Sequence, residues 1–260
     1  MRFLLMITLL TLILLSACGD ANTISTTNPA AEGFNQAASD AKAIELADQV
    51  MTAMGGREAW DDTKVISWSF FGKRHLVWDK HTGDVRITSP GDSTVYLVNV
   101  FSGKGEIMVR DTVIEDAKRK QELLEKAKSI WINDSYWLVM PFKLKDSGVT
   151  LKYLGEGVMQ DGTPAHILQL TFKEVGVTPN NKYHVWIDHS DDLLKQWAFY
   201  RDHDKEEPNY IRPWDNYQPY GKILLSADRS DKVGPSDVHV YDQVDPTVFT
   251  EWGTPSIVNM

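Results

Sequence analysis

Residues 65–78 read VISWSFFGKRHLVW, two short runs of alternating side chains joined by a Gly-Lys pair. In the first run Ile66, Trp68 and Phe70 fall on one face of an extended chain, and Trp78 continues that face in the second run. Apolar residues at every second position are typical of a strand with one buried face. The stretch therefore predicts an antiparallel hairpin.

The remainder of the predicted sheet follows from the same alternation, which recurs downstream between turns rich in Gly, Pro, Asp and Ser. The predicted strands span residues 84–88, 94–101, 106–114, 150–154, 165–172, 182–188, 195–201, 222–227 and 237–244. Because only one face of these strands is apolar, the outer face can stay wet, and we expect a single curved antiparallel sheet of about 10–11 strands.

Two segments have a helical period instead. The first spans residues 37–54, with Ser39 as the N-cap and the glycine pair at 55–56 as the stop. The second spans residues 115–131. The apolar string that follows it, residues 136–142, is predicted to be buried in the core or under a ligand. Helices covering the concave face of an unclosed half-barrel make the predicted fold class α+β.

The N-terminus has the parts of a secretory signal. Arg2 is followed by an apolar run over residues 3–15 and then by the small residues Ser16 and Ala17. The apolar run is too short to span a membrane, which takes about 20 residues. Residues 1–17 are therefore predicted to be a signal peptide.

The string Leu15-Ser16-Ala17-Cys18 resembles the bacterial lipobox, which implies cleavage before Cys18 and lipidation of its sulfur. Cys18 is the only cysteine, so no disulfide partner competes for the thiol. Residues 18–36, rich in Ser, Thr, Asn and Ala, are predicted to be a flexible tether, and residues 37–260 a single domain. We expect a monomer in the cell envelope, held on the outer membrane rather than the inner one.

The charge balance restricts the partners. The net charge is -9, and loss of the signal peptide removes Arg2 and makes it -10. No basic stripe is visible that could neutralise phosphates, which argues against nucleic acid. The acidic balance also disfavours a flat contact with anionic lipid, so acyl chains on Cys18 must provide the anchor.

The layout of the chain resembles a known family. The chain resembles uncharacterised lipoproteins of the Bacteroidetes group. The features that carry this resemblance are the lipobox, the early helix ending in Met54-Gly55-Gly56, the strands that open near Trp68, the mid-chain helix and the string at 136–144. Those proteins are in turn similar to the lipoprotein carriers LolA and LolB. Over about residues 37–250, the resemblance implies an open antiparallel barrel that binds acyl chains without covalent change. No residue here matches a ligand-contact motif of the carriers, so none is carried over, and the anchor favours static binding or handover over shuttling.

A hydrophobic ligand site is predicted on the concave face. Strand parity places apolar side chains there from both halves of the chain, and the first helix contributes two methionines. The predicted site residues are Trp68, Phe70, Trp78, Leu168, Leu170, Trp197, Phe199, Met51 and Met54. Aromatic walls and soft methionine fillers suit an acyl chain or another apolar molecule. The alternative is a packed, ligand-free core in a structural or partner-binding envelope lipoprotein.

No catalytic residue is predicted, although an enzyme of undetected type stays as a third alternative. The chain has no Gly-x-Ser-x-Gly elbow. The string Gly91-Asp92-Ser93, with Asp237 and His239 as candidate partners, falls in a predicted hairpin turn rather than at a strand-to-helix junction.

No metal or other cofactor is predicted either. His184 and Asp188 share a strand face but lie about 13 Å apart along it, too far to bind one ion. Residues 188–192 are better explained as a hairpin connection, and Asp202-His203-Asp204 would suit at most a surface calcium ion.

The aromatic segment at residues 210–220 contains two prolines. Two roles are equally compatible with it, a recognition surface and a cover over a sheet edge.

Overall fold

The computed structural model describes residues 27–173, 178–230 and 233–253. The predicted signal peptide, Cys18 and the first part of the predicted tether lie outside these residues. Within the described ranges, every helix is too short or too polar to cross a membrane.

The part of the chain that the structure describes contains three α-helices: α1 at Ala41–Ala53, α2 at Gly56–Asp62 and α3 at Ala117–Val139. Helix α1 starts later than predicted because residues 36–38 form a separate 3-10 turn. Ser39 does not cap it, and its hydroxyl instead accepts the backbone N–H of Leu151 at 3.0 Å.

Gly55 ends α1 as predicted, for a reason that the structure supplies. Its φ is +111°, and a Cβ at this position would lie 2.3 Å from the carbonyl oxygen of Lys222. Only glycine tolerates both the left-handed backbone and this close approach. The chain then turns directly into α2, a short helix that the sequence pattern did not predict.

Helix α3 is longer than predicted and contains the first part of the apolar string. The side chain of Asp116 accepts the backbone N–H of Arg119 at 2.8 Å, which caps the start of the helix. At the other end a 3-10 turn at Met140–Lys143 takes over, where Pro141 removes a backbone donor.

The described residues form fourteen strands. They are β1 Val65–Phe70, β2 Arg74–Asp79, β3 Asp84–Ser89, β4 Thr94–Asn99, β5 Lys104–Val109, β6 Thr112–Val113, β7 Val149–Val158, β8 Pro164–Phe172, β9 Lys182–Asp188, β10 Leu194–Tyr200, β11 Tyr210–Pro213, β12 Asp215–Tyr220, β13 Ile223–Asp228 and β14 Pro235–Tyr241. The count exceeds the expected one because the strand predicted at 106–114 is divided between β5 and β6, and because the aromatic segment forms β11 and β12.

The strands pair antiparallel in three groups. Seven strands form an unclosed sheet in the order β14-β1-β2-β3-β4-β5-β6, five form a second group in the order β11-β10-β9-β8-β7, and β12 pairs with β13. The predicted class, an α+β fold with an open, curved antiparallel sheet, is confirmed. Strand β11 covers the edge of β10, which is one of the two roles considered for the aromatic segment.

One hydrophobic core joins α1, α3 and the inner faces of the sheets. Its largest fully buried side chains include Trp68, Trp197 and Trp214. Helix α1 contacts β7, and α3 contacts both β5 and β13. The two helices therefore cover the concave face, as predicted.

The residues from Asn28 onward pack against the domain, which differs from the expectation of a flexible tether up to residue 36. Asn28 is buried, and its amide donates to the carboxylate of Asp48 at 2.7 Å. The backbone N–H of Ala31 donates to the carbonyl of Lys145, and that of Asn35 to the carbonyl of Val149, both at 3.0 Å. Amino-acid composition gives no indication of these backbone hydrogen bonds. They place the start of the packed domain before residue 37.

Candidate functional site

An open cavity of about 450 Å³ lies at one end of the concave face. It is bounded by α3, by the β1–β2 turn and by the ends of β8, β9, β10 and β11. Most of its wall is aromatic, from Phe70, Phe71, Tyr136, Trp137, Phe172, Tyr183, Phe199 and Tyr210. The other lining residues are Ile132 and four polar ones, Ser129, Asn133, Thr178 and Asn181.

Helix α3 provides one side of the cavity through a single helical face. Ser129, Ile132, Asn133 and Tyr136 line it, and their spacing of three or four residues is that of side chains stacked along one stripe. Trp137 extends this stripe toward the β1–β2 turn. The same helix buries Leu138 and Val139 in the core on another side.

On the strand side, the wall of the cavity consists of aromatic rings that pack against one another. Tyr183 stacks on Trp197 with centroids 5.5 Å apart and planes at 11°. Trp197 in turn meets the edge of Trp137 at 4.9 Å, and Phe199 stacks on Tyr210 at 5.1 Å. Rings held against each other in this way give a rigid wall with little side-chain entropy left to lose on binding.

Phe71 stands at the rim in an unfavourable backbone conformation. Its φ is +52°, in the left-handed region that bulky residues rarely adopt, and Gly72 beside it has φ +62°. The Phe71 ring packs edge-on against Phe70 at 4.7 Å and Trp137 at 5.4 Å, and it is 39% exposed. Backbone strain of this kind tends to collect at functional positions.

The lining residues that the structure describes include no Asp, Glu, Lys, Arg or His. Burial raises the pKa of Tyr183 to about 12, and it also raises the pKa values of Tyr136 and Tyr210 above their ordinary range. The phenols thus stay protonated and act as neutral hydrogen-bonding groups. Among the described residues, the buried hydroxyl of Tyr136 has no hydrogen-bond partner.

The nearest ion pair anchors α3 beside the cavity. Arg74 of β2 donates to both carboxylate oxygens of Asp134, at 2.8 and 2.9 Å. Burial raises the pKa of Asp134, while hydrogen bonds from Arg74 and Asn133 act in the opposite direction. The guanidinium also lies 5.5 Å from the centroid of the Phe70 ring, so the pair contacts the cavity wall from outside.

The predicted site residues divide into two groups. Phe70 and Phe199 line the cavity, and Trp197 lies directly behind its wall. The others fill the core, away from the cavity: Trp68, Trp78, Leu168, Leu170, Met51 and Met54. Helices α1 and α3 pack over the middle of the concave face, and the aromatic cavity lies at its end.

Several cavity residues were not predicted as ligand contacts. Phe71 follows β1, and its parity is opposite to that of Phe70. Phe172 has the parity of Leu168 and Leu170 on β8, so alternation could have placed it on their face, although it was not among the predicted contacts. Tyr136 and Trp137 belong to the string that was predicted to be buried in the core or under a ligand, and they border the cavity. Tyr210 lies in the aromatic segment considered as a recognition surface.

A second depression, of about 750 Å³, lies beside β4 and β5. It is shallower, and its walls include the charged side chains of Asp84, Lys104, Glu106 and Lys120. This groove is more open, and its walls combine apolar side chains with these four charged ones, so the mainly aromatic cavity is the better candidate for an apolar ligand.

The candidate serine site is not assembled. Ser93 precedes β4, whereas Asp237 and His239 lie on β14, and three strands separate β14 from β4 in the sheet. At the spacing of neighbouring strands this is about 19 Å, far beyond hydrogen-bond reach.

The side chain of His184 is not positioned to bind a metal ion. Its Nε2 lies 3.3 Å from the amide oxygen of Gln169, and its Nδ1 lies 3.0 Å from the hydroxyl of Tyr200. Both ring nitrogens therefore have protein partners. Asp188 accepts hydrogen bonds from Ser190 and Lys195 in the β9–β10 hairpin, which confirms the predicted connection.

Comparison with known proteins gives only distant similarities. No family model matches the chain, and no curated protein matches it. Among solved structures, a DUF1329 family protein from Desulfovibrio piger is similar at 15% identity and a TM-score of 0.43, over 80% of this chain and 96% of that one. A LolA superfamily protein from Nitrosomonas europaea is similar at 10% identity and a TM-score of 0.39, over 80% of this chain and 97% of that one. Both scores lie below 0.5, and these similarities leave the ligand undetermined.

Proposed function

We propose that this protein is an envelope lipoprotein, anchored by lipid on Cys18, that binds the apolar part of a lipid or another hydrophobic molecule without changing it covalently. The observation that supports the proposal is the aromatic cavity beside α3. Its volume of about 450 Å³ falls within the range of small-molecule sites, roughly 300 to 1,000 Å³.

The support for ligand binding comes from the hollow at the end of the concave face and not from the core, whose side chains are packed. An aromatic hollow that is open to water on one side exposes apolar surface, which costs free energy unless something covers it. A bound apolar group would remove that surface from water.

The distribution of polar groups favours an amphiphile. Ser129, Asn133, Thr178 and Asn181 offer hydroxyls and amides among the rings. Neutral donors and acceptors of this kind orient a ligand through an ester, carboxyl or hydroxyl group while its apolar part fills the hollow. The described part of the wall is mainly aromatic, which fits an apolar chain better than a charged metabolite.

The anchor would keep the cavity close to the membrane. If lipid is attached at Cys18 and the packed domain begins at Asn28, the intervening chain spans at most ~35 Å when fully extended. A domain held at this distance from the membrane would meet lipids or lipidated proteins at high local concentration.

The test uses the mature chain carrying Cys18→Ser, which is not lipidated, and a fluorescent fatty acid as the probe. Ser129→Trp places an indole in the cavity and is expected to weaken probe binding by about tenfold or more. The matched control is Arg119→Trp, which puts the same side chain on the exposed surface of α3 about 15 Å from Ser129 along the helix and should leave the affinity unchanged.

A second comparison separates the cavity from the core. Leu168 is fully buried in the packed part of the concave face, so Leu168→Trp should cost about 1 to 3 kcal/mol of stability by overpacking. Ser129→Trp should cost much less, because the indole enters open space. Equal probe affinity in the Ser129 and Arg119 variants, or no probe binding by the parent chain at micromolar concentration, would favour a structural or partner-binding role.

A further inference from the structure

Glu156, His166 and His189 meet at the end of the five-stranded group that lies away from the cavity. Glu156 and His166 are direct partners across β7 and β8, and His189 immediately follows β9. Phe172, which lines the cavity, is six residues further along β8, or about 20 Å away. The cluster is therefore separate from the proposed ligand site.

The three side chains converge closely. One carboxylate oxygen of Glu156 and one ring nitrogen from each histidine all lie within 4.8 Å of one another. The rings of His166 and His189 have centroids 4.2 Å apart. Four-coordinate zinc has ligand distances of about 2.0 to 2.2 Å, which separates the donor atoms by about 3.4 Å. Small rotations of the exposed Glu156 and His189 side chains would close the remaining gap.

A β-bulge produces this convergence. The β7–β8 register shifts between Tyr153 and Gly155, which leaves Leu154 unpaired and 47% exposed. As a result both Tyr153 and Glu156 reach His166. The Tyr153 hydroxyl lies 3.2 Å from His166 Nδ1, and Glu156 Oε1 lies 3.9 Å from the same nitrogen. Bulges re-aim side chains in this way near functional sites.

We propose that Glu156, His166 and His189 bind a divalent transition-metal ion of the zinc type, with water completing the coordination. Two imidazoles and one carboxylate suit zinc, copper or nickel better than calcium or magnesium, which prefer oxygen ligands alone. The Tyr153 hydroxyl would orient the His166 ring, the usual role of a group hydrogen-bonded to a metal-ligating histidine. A bound ion would link β7, β8 and the β9–β10 hairpin.

The test is a calorimetric titration of the mature Cys18→Ser chain, made without a histidine tag, with Zn²⁺ as the probe. The parent is expected to bind one ion, and His189→Ala or Glu156→Gln to weaken that binding by about tenfold or more. Both altered side chains are exposed, so the variants should keep the fold.

The matched control is His203→Ala. Asp202, His203 and Asp204 also bring three donor groups together, but all three are exposed and adjacent in sequence. Zinc should raise the melting temperature of the parent and of the His203 variant, but not that of His189→Ala. Zinc binding that survives His189→Ala unchanged, binding that is lost with His203→Ala, or no saturable binding by the parent would each overturn the proposal.

Discussion

Arg74 and Asp134 join two sides of the aromatic cavity, because the guanidinium on β2 donates two hydrogen bonds to a carboxylate on α3. Asp134 is fully buried, whereas Arg74 is about a quarter exposed. A buried carboxylate needs such a partner, since its charge loses the hydration that it would have in water. The pair therefore determines where α3 lies relative to Phe70 and the cavity.

Replacing Arg74 should destabilise the protein. Arg74→Met is expected to lower the free energy of unfolding by about 3 kcal/mol, because it leaves the Asp134 carboxyl buried without its main donor. Urea unfolding followed by tryptophan fluorescence measures this. Adding Asp134→Asn to Arg74→Met should restore part of the loss, since a neutral amide does not need the guanidinium. An Arg74→Met protein as stable as the parent would show that the pair does not hold the helix.

The substitution Phe71→Asn should show separately how residue 71 contributes to backbone strain and to ligand binding. Asn tolerates the left-handed backbone of this position, and an Asn-Gly pair is favoured where both central residues of a hairpin turn have positive φ. We therefore expect the melting temperature to stay the same or rise. Binding of the fluorescent fatty acid should weaken, because one aromatic wall of the cavity is lost.

A matched change checks that result. Phe101 is another exposed phenylalanine, on a turn away from the cavity. Phe101→Asn should leave probe binding unchanged. Probe affinity that is equal in the Phe71 and Phe101 variants would mean that Phe71 does not contact the ligand.

His184 should make stability depend on pH in the acid range. Burial, with a smaller effect of Lys182, lowers its pKa to about 4, whereas an unfolded chain titrates near 6.5. Between these values the unfolded chain binds a proton that the folded chain does not. The free energy of unfolding should thus fall as pH decreases from about 6.5 to about 4.

The contribution of His184 can be isolated by substitution. His184→Gln keeps a polar group but cannot titrate, so its stability should decrease less than that of the parent between about pH 7 and about pH 5. Part of the dependence will remain, because burial also lowers the pKa values of His75 and His166. Urea midpoints at the two pH values provide the measurement, and an unchanged pH dependence in the variant would contradict the assignment.

Cys18→Ser should abolish labelling by a fatty-acid analogue in cells and stop processing before residue 18. The control carries Cys18→Ser together with Ser25→Cys, which restores a thiol outside the lipobox-like string. This control should also remain unlabelled. Labelling of either variant would show that the lipid is attached by another route.

The regular elements of this protein could be predicted because their signals are local. The alternation at Ile66, Trp68 and Phe70 is visible in six residues, and it predicts a strand whatever lies opposite. The periodicity of α1 and α3 is equally local, although α3 continues past Trp131 through a stretch in which Leu138 and Val139 are buried in the core. The aromatic segment at 210–220 was harder, since its strands depend on the neighbours β10 and β13 for pairing.

The amino-acid sequence by itself determined the fold class, the buried face of each main strand and the lipobox-like string at Cys18, because these depend on side-chain periodicity and short motifs. Only the tertiary structure decided which apolar residues fill the core and which border a cavity. Trp68 and Phe70 share one strand face, yet only Phe70 reaches the cavity, because α3 packs over the middle of the sheet and leaves its end open. Likewise, Glu156, His166 and His189 converge through strand pairing and a β-bulge. Side-chain periodicity predicts neither the pairing nor the bulge.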